Sequence, residues 1–243
     1  MHRRLNPDVT VVALADRVVG VSMAKAGGAH VAVLDDAFQH RRISRVADIV
    51  LLSVEQLARP RRLLPAGPWR ENLTAARTAH LVVLTRKSAT TADTRAAQAL
   101  VTSALPGVPT AVVYLAPKSL ERANGGGSMP LESLRGTAVL AIAAIGEPEL
   151  FKQQLGSAGA RVTLVPFRDH YSYSAEDVRR LTDAAPDAIA VCTLKDAVKL
   201  APLWPASRAL WYLSQQLVVE QGAEHIDRLC ASVLERVSPA TAG

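Results

Sequence analysis

Short runs of valine, isoleucine and leucine alternate along this chain with longer stretches in which alanine, leucine and arginine recur at helical spacing. A strand buried on both faces reads as a continuous apolar run, and a helix covering it reads as a one-sided period. The alternation therefore predicts βα units around a mostly parallel sheet. Strands are expected at 9–14, 31–34, 48–52, 81–84, 110–115, 139–142, 161–165, 188–192 and 209–213, and the clearest helices at 17–26, 91–104, 147–156, 174–184 and 219–237. In Ser174-Ala175-Glu176-Asp177 a hydroxyl precedes two acidic residues, which suits an N-cap and the positive end of a helix dipole. Between Leu115 and Val139 the period lapses and Asn124-Gly125-Gly126-Gly127-Ser128 appears, the composition of a linker. Residues 1–116 are accordingly expected to form a first lobe, 117–136 a linker and 137–243 a smaller second α/β lobe. No internal repeat relates the two.

Composition narrows the class. Over 243 residues, 49% are hydrophobic, 4% aromatic and 21% charged, which fits a globular α/β chain and excludes disorder, collagen and coiled coil. The apolar runs 79–84 and 138–145 fall well short of the roughly 20 residues that span a bilayer. No signal-peptide core follows Met1, so a cytoplasmic address is expected. Cys192 and Cys230 each lie in an apolar element, which suggests core thiols and neither a disulfide framework nor a cysteine metal site.

The net charge of +6 suits anionic partners: nucleotides, acidic lipid headgroups or nucleic acid. His40-Arg41-Arg42-Ile43-Ser44-Arg45 and Arg59-Pro60-Arg61-Arg62, with Arg70 close behind, are either a solvated face or a surface for such anions. Nucleic-acid surfaces interleave aromatic stacking platforms with the basic residues. Only Phe38 and Trp69 stand near these blocks, which argues against nucleic acid as a partner.

Val31-Ala32-Val33-Leu34-Asp35-Asp36 reads as an apolar strand running into two carboxylates. The carboxyl ends of parallel strands line the ligand crevice, and an Asp at such an end is how a Walker B strand offers oxygen to Mg²⁺. An ordinary turn or helix cap is the alternative. Four further blocks follow: Leu63-Leu64-Pro65-Ala66-Gly67-Pro68-Trp69-Arg70-Glu71, then Ala143-Ala144-Ile145-Gly146-Glu147-Pro148, Phe167-Arg168-Asp169-His170-Tyr171, and Thr193-Leu194-Lys195-Asp196-Ala197-Val198-Lys199-Leu200. With Asp35-Asp36-Ala37-Phe38-Gln39-His40-Arg41-Arg42, these five blocks fall in one order across about Pro7 to Leu234. In that order they resemble the tetraacyldisaccharide 4'-kinases of the lipid A pathway.

The resemblance implies a P-loop-NTPase-like first lobe and transfer of the ATP γ-phosphate, with Mg²⁺, to the 4'-hydroxyl of a tetraacyldisaccharide 1-phosphate. The lipid A disaccharide precursor and ATP would be its partners, and its place would be peripheral, on the cytoplasmic face of the inner membrane. Asp35, Asp36 and Glu71 would hold the metal; Asp36, Arg70 and His170 would be catalytic; Gln39, His40 and Arg70 would meet the substrate; and Lys195 and Asp196 would approach the nucleotide. Each also has an ordinary reading: an ion pair for Arg70, a loop residue for His170, a solvated helix start for Lys195 and Asp196.

The sequence departs from the family in one large respect. The family's Gly-Lys-Thr phosphate loop and the acidic segment after it have no counterpart here: no G-x-x-x-x-G-K-[ST] occurs, and Gly125-Gly126-Gly127 lacks the lysine. The expectation is a truncated first lobe with an exposed face, inactive alone, for which a separate chain carrying the phosphate loop would be a partner. The alternative is a non-catalytic remnant that binds anionic lipid or a partner protein. Ala37 also stands where the family has glycine, which restricts the turn if φ must be positive there.

Overall fold

The computed structural model describes residues 2–40, 42–67 and 69–237, so Arg41 of the first basic block and Pro68 of the proline-rich block lie outside the described residues. The elements run α1 (His2–Leu5), α2 (Arg17–Ala26), β1 (Ile49–Ser53), α3 (Val54–Leu57), β2 (Leu81–Arg86), α4 (Thr91–Ala104), β3 (Thr110–Arg122), β4 (Ser128–Pro130), β5 (Ala138–Ala143), α5 (Pro148–Ser157), β6 (Arg161–Pro166), α6 (Ala175–Ala184), β7 (Ile189–Cys192), α7 (Leu194–Leu200), β8 (Leu210–Gln221) and α8 (Ala223–Glu235). They form two compact units, 2–114 with 219–237 and 115–218, and strands β3 and β8 contribute to both.

In the unit of 2–114 and 219–237, β1, β2 and β3 are parallel, with Leu51 opposite Val83 and Leu84 opposite Val112. Helices cover both faces. Val82, Leu84 and Val112 pack with Val54, Leu57, Val101 and Leu105 on one side, while Leu81, Val83, Ala111 and Val113 meet Ile226 and Leu229 of α8 on the other. Burial on both faces is why β2 reads as an unbroken apolar run. Helix α4 starts where the Thr90 hydroxyl accepts from the Asp93 N–H at 3.1 Å and the Asp93 carboxylate accepts from the Thr90 N–H at 3.0 Å, a reciprocal cap that fixes its first residue.

In the unit of 115–218, β6, β5, β7 and β8 lie side by side and parallel. Leu140 and Ile142 pack with Val178, Leu181, Leu200 and Trp204, and Val139, Ala141 and Val191 pack with Phe151 and Leu155. Strand β4 returns antiparallel on β3. The architecture is thus the expected mostly parallel α/β.

Three expectations differ. Segments 9–14 and 31–34 are not strands: neither joins the sheet order, and Val33 is 94% exposed. Apolar alternation supplies the pattern of a strand, but a strand also needs a hydrogen-bonding neighbour. The stretch read as a linker, 117–136, instead holds the second part of β3, β4 and a short 3-10 turn at Leu131–Leu134. Its glycines make the hairpin turn, with φ of 81° at Gly125 and 82° at Gly126. Finally β8 continues to Gln221, so the expected helix at 219–237 begins at Ala223, and it groups with residues 2–114 rather than with 137–218. On β1, Ile49 and Leu51 are exposed, an open apolar face of the kind expected in the first lobe. Among the described residues no helix is long and apolar enough to cross a membrane.

One carboxylate ties the carboxyl ends of β1 and β2 together. Glu55 Oε1 accepts the N–H groups of Lys87, Ser88 and Ala89 at 2.7, 2.9 and 3.1 Å, and Oε2 accepts the Ser53 hydroxyl at 2.8 Å. Burial pushes this carboxyl up, but the hydrogen bonds outweigh it and hold it at about 2, against 4.5 for an ordinary Glu. A depressed folded value means stability that is complete above pH 4.5 and lost as pH falls towards 2. Because Glu55 is half exposed, the contribution is on the order of 1–2 kcal/mol after solvent screening. Urea melts at pH 7 and pH 3 should show wild type losing that much more than Glu55→Gln, which keeps the acceptor without the charge; equal losses would remove Glu55 from the acid response.

Candidate functional site

Asp35 and Asp36 stand on an exposed turn, their side chains 87% and 68% accessible. Asp36 carries the positive φ, 49°, which Asp tolerates better than most residues. The glycine-like conformation thus falls on Asp36 and not on Ala37, which is buried. The His40 N–H closes the turn on the Ala37 carbonyl at 2.9 Å. Arg17 Nη2 lies 3.4 Å from the carbonyl oxygens of both Asp35 and Asp36, Arg70 Nη1 3.7 Å from Asp36 Oδ2, and His2 Nε2 3.6 Å from Asp35 Oδ2. Exposed pairs of this kind add little to stability. Their effect is to arrange two carboxylates and two guanidinium groups at one accessible place.

Arg70 follows a loop that closes on itself. The Leu64 N–H donates to the Trp69 carbonyl at 2.8 Å, the Trp69 N–H donates to the Arg62 carbonyl at 3.2 Å, Trp69 packs on the core, and the Leu64–Pro65 peptide is cis. The closure brings Gly67 against Arg62. A Cβ at 67 would lie 2.6 Å from Arg62 Cβ and 2.9 Å from its carbonyl carbon, closer than real Cβ contacts come. Gly67→Ala should therefore open the loop and cost about 1–3 kcal/mol, read as a drop in melting temperature with faster proteolysis at 59–71; an unchanged melt would show that the loop adjusts freely.

Gln39 is exposed, and His40 is half-buried with Nδ1 enclosed and unpartnered. Glu71 is exposed, and among the described residues no three His, Cys, Asp or Glu side chains form a cation-holding group.

His170, Lys195 and Asp196 belong to the other unit. His170 follows β6 with φ of 61° and an imidazole 81% accessible, its Nε2 3.9 Å from Asp169 Oδ2. Arg168, Asp169, His170, Tyr171 and Ser172 line a concavity of about 420 Å³. Beside it, Phe167, Tyr171 and Tyr173 form a ring cluster with centroids 4.8 to 5.4 Å apart. The Tyr171 hydroxyl donates to Asp177 Oδ2 at 3.2 Å. The Ser174 N–H and hydroxyl also reach Asp177, and they hold its carboxyl at about 2.

Lys195 and Asp196 point to different environments. Lys195 is exposed, whereas Asp196 is fully buried, accepting from the Ala144 N–H at 3.1 Å, the Tyr173 hydroxyl at 3.0 Å and the Thr193 hydroxyl at 2.7 Å. Burial and the neighbouring Asp196 carboxylate push the Tyr173 phenol up. Asp196 thereby links β5, α7 and the ring cluster as an internal acceptor. Sequence reasoning missed this role, and it missed Arg17 as a clamp on the acidic turn and Arg45 as one on the loop that follows it; an arginine at a helix start or in a basic block carries no mark of the carbonyls it will reach.

Comparison with known proteins agrees with the resemblance. The family described as Tetraacyldisaccharide-1-P 4'-kinase (LpxK) matches residues 1–233. A tetraacyldisaccharide 4'-kinase of Syntrophus aciditrophicus is 33% identical over 234 residues, covering 90% of this chain and 63% of its own length. One of Anaeromyxobacter dehalogenans is 38% identical over 216 residues, covering 86% and 56%. The crystal structure of Aquifex aeolicus LpxK in complex with ATP superposes with a TM-score of 0.66 at 29% identity, covering 93% of this chain and 65% of that one. This chain spans less than two thirds of the length of each of these three relatives. Matched from residue 1 to 233, the chain belongs to the tetraacyldisaccharide 4'-kinase family.

Proposed function

We propose that these 243 residues supply the metal and acceptor side of a kinase that moves the ATP γ-phosphate to the 4'-hydroxyl of a tetraacyldisaccharide 1-phosphate. The observation that carries the reading is the accessible Asp35–Asp36 pair flanked by Arg17 and Arg70. Phosphoryl transfer depends on positioning and on neutralising charge spread over phosphate oxygens. Mg²⁺ is ordinarily held by one or two carboxylates together with phosphate and water oxygens, and an exposed oxygen-only pair suits it. When bound, the metal would supply that neutralisation.

Within this reading Arg70 offers a planar fork to phosphoryl oxygens, which a lysine would not match. Gln39 and His40 offer hydrogen bonds to sugar or phosphate oxygens. His170, with its accessible imidazole, is the group to accept the 4'-hydroxyl proton. Glu71 and Lys195 are accessible and remain assigned to metal and nucleotide, while Asp196 acts from inside by holding the start of α7 behind Lys195. Exposed Arg42, Arg59, Arg61 and Arg62 supply the attraction to anionic headgroups that a peripheral place on the cytoplasmic face of the inner membrane requires.

A second reading has its own observation. The 243 residues contain no G-x-x-x-x-G-K-[ST], so they hold no phosphate cradle of that type, and a non-catalytic protein that binds anionic lipid or a partner would need none. Transfer of labelled γ-phosphate to a tetraacyldisaccharide 1-phosphate in detergent separates the two, provided that a polypeptide with a strand, a Gly-Lys-Thr loop and a helix is supplied. Transfer supports the kinase; sedimentation with anionic vesicles without nucleotide binding or transfer supports the second reading.

A further inference from the structure

Gln39 and His40 lie between Ala37 and Asp48, where none of the described residues is in a helix or strand. Nothing in local secondary structure therefore orients them. Arg45, whose side chain is only 21% accessible, lies within the same stretch. We infer that Arg45 is a positioning residue that sets the orientation of Gln39 and His40; the inference rests on the kinase reading of that pair.

The guanidinium group is shared among four acceptors. Nη2 donates to the Phe38 carbonyl at 3.3 Å, Nη1 donates to the His40 carbonyl and lies 3.5 Å from that of Ile43, and Nε donates to Asp48 Oδ1 at 2.5 Å. The Phe38 carbonyl belongs to the peptide before Gln39 and the His40 carbonyl to the peptide after His40, so the two bracket the pair. Arg45 thereby holds the outer two peptide planes, the His40 N–H bond to the Ala37 carbonyl at 2.9 Å holds the one between them, and the enclosed Nδ1 of His40 leaves that ring little freedom to turn. The clamp is itself anchored. Asp48 precedes β1, its N–H donates to His80 Nδ1 at 3.1 Å, and its carbonyl accepts the His80 N–H at 2.9 Å just ahead of β2. The path runs from the parallel strands through Asp48 and Arg45 to the two carbonyls. Arg45 reaches no reacting atom, so its effect is exerted through the pair it holds.

Lysine separates this role from simple stabilisation. A point charge on a flexible stem can keep the partnership with Asp48, but it cannot hold two carbonyls as a fork. Arg45→Lys in the 243-residue chain should melt within about 2–4 °C of wild type. With ¹⁵N-labelled histidine, and the His40 signal assigned by its loss in His40→Gln, the single His40 resonance of wild type should broaden or split. In the complemented preparation Arg45→Lys should raise KM for the lipid acceptor about tenfold to a hundredfold, with KM for ATP unchanged. An unaltered His40 resonance, or a fall in all kinetic parameters in step with melting temperature, would overturn the inference. If Arg45→Lys does not fold, Asp48→Asn, which leaves the arginine but weakens its anchor, must show the same histidine signature for the inference to stand. If no preparation transfers phosphate, the kinase reading fails, and the histidine spectra still decide whether Arg45 orients the pair.

Discussion

Mixed with ATP, Mg²⁺ and a tetraacyldisaccharide 1-phosphate in detergent, the 243 residues alone are expected to transfer no phosphate, and adding a polypeptide with a strand, a Gly-Lys-Thr loop and a helix is expected to restore transfer. The argument is an inventory. Asp35 and Asp36 can offer oxygen to a hard cation, and Arg17, Arg70 and Lys195 offer positive charge. What no segment of the sequence offers is a run of backbone N–H groups around the β- and γ-phosphates with the lysine that accompanies it. Groups that act as a unit contribute non-additively, so losing the cradle should abolish the reaction rather than dent it. Strand β1 ends the sheet order, so its outer edge is one place where an added strand could pair, and its exposed Ile49 and Leu51 are a face on which an added helix could pack. Robust Mg²⁺-dependent phosphorylation by the purified 243-residue chain would show the cradle to be dispensable.

In the complemented preparation, Asp35→Asn and Asp36→Asn should each lower turnover about a hundredfold or more, with the metal and transition-state charge bearing the loss. Neither should move the melting temperature appreciably. Both side chains are largely accessible, and their contacts, 3.6 Å to His2 and 3.7 Å to Arg70, are of the exposed kind that contributes about 0–1 kcal/mol. Asparagine also suits the turn: at Asp36, where φ is 49°, Asn tolerates the left-handed region as Asp does. The substitution thus changes charge without changing backbone, which Asp36→Ala would not achieve. Turnover that survives in both variants would reassign the pair as a turn.

The sequence by itself determined those features whose cause is local or whose burial is symmetrical. Helices at 17–26 and 91–104 were legible to the residue, because Asp16 and Thr90 cap them and their periods are unbroken. Strands β2, β5, β6 and β7 were legible within two residues at either end, β2, β5 and β7 because a strand covered on both faces is apolar through its buried length, and β6, at the edge of the sheet, because Val162, Leu164 and Val165 stand among exposed Arg161 and Thr163. The family was legible in five ordered blocks, and with it the identity of Asp35, Asp36, Arg70 and His170 as candidates.

Only the tertiary structure decided which apolar runs become strands, where β3 and β8 end, and which polar residues turn inward. Val31 and Val33 have the residues of a strand and no hydrogen-bonding partner among the described residues, while polar 117–122 becomes strand because β4 and β8 lie beside it. Asp196 and Lys195 are adjacent in sequence yet one is buried and the other exposed, since the Ala144 N–H and Tyr173 hydroxyl that hold Asp196 come from elements 52 and 23 residues away. Arg45 sits in a basic block, and what sets it apart is the Phe38 and His40 carbonyls and the Asp48 carboxylate that the folded loop brings to it. Capping and periodicity act over a few residues and leave a local mark in the chain; strand pairing, burial and side-chain-to-backbone bonds depend on partners that only folding brings together.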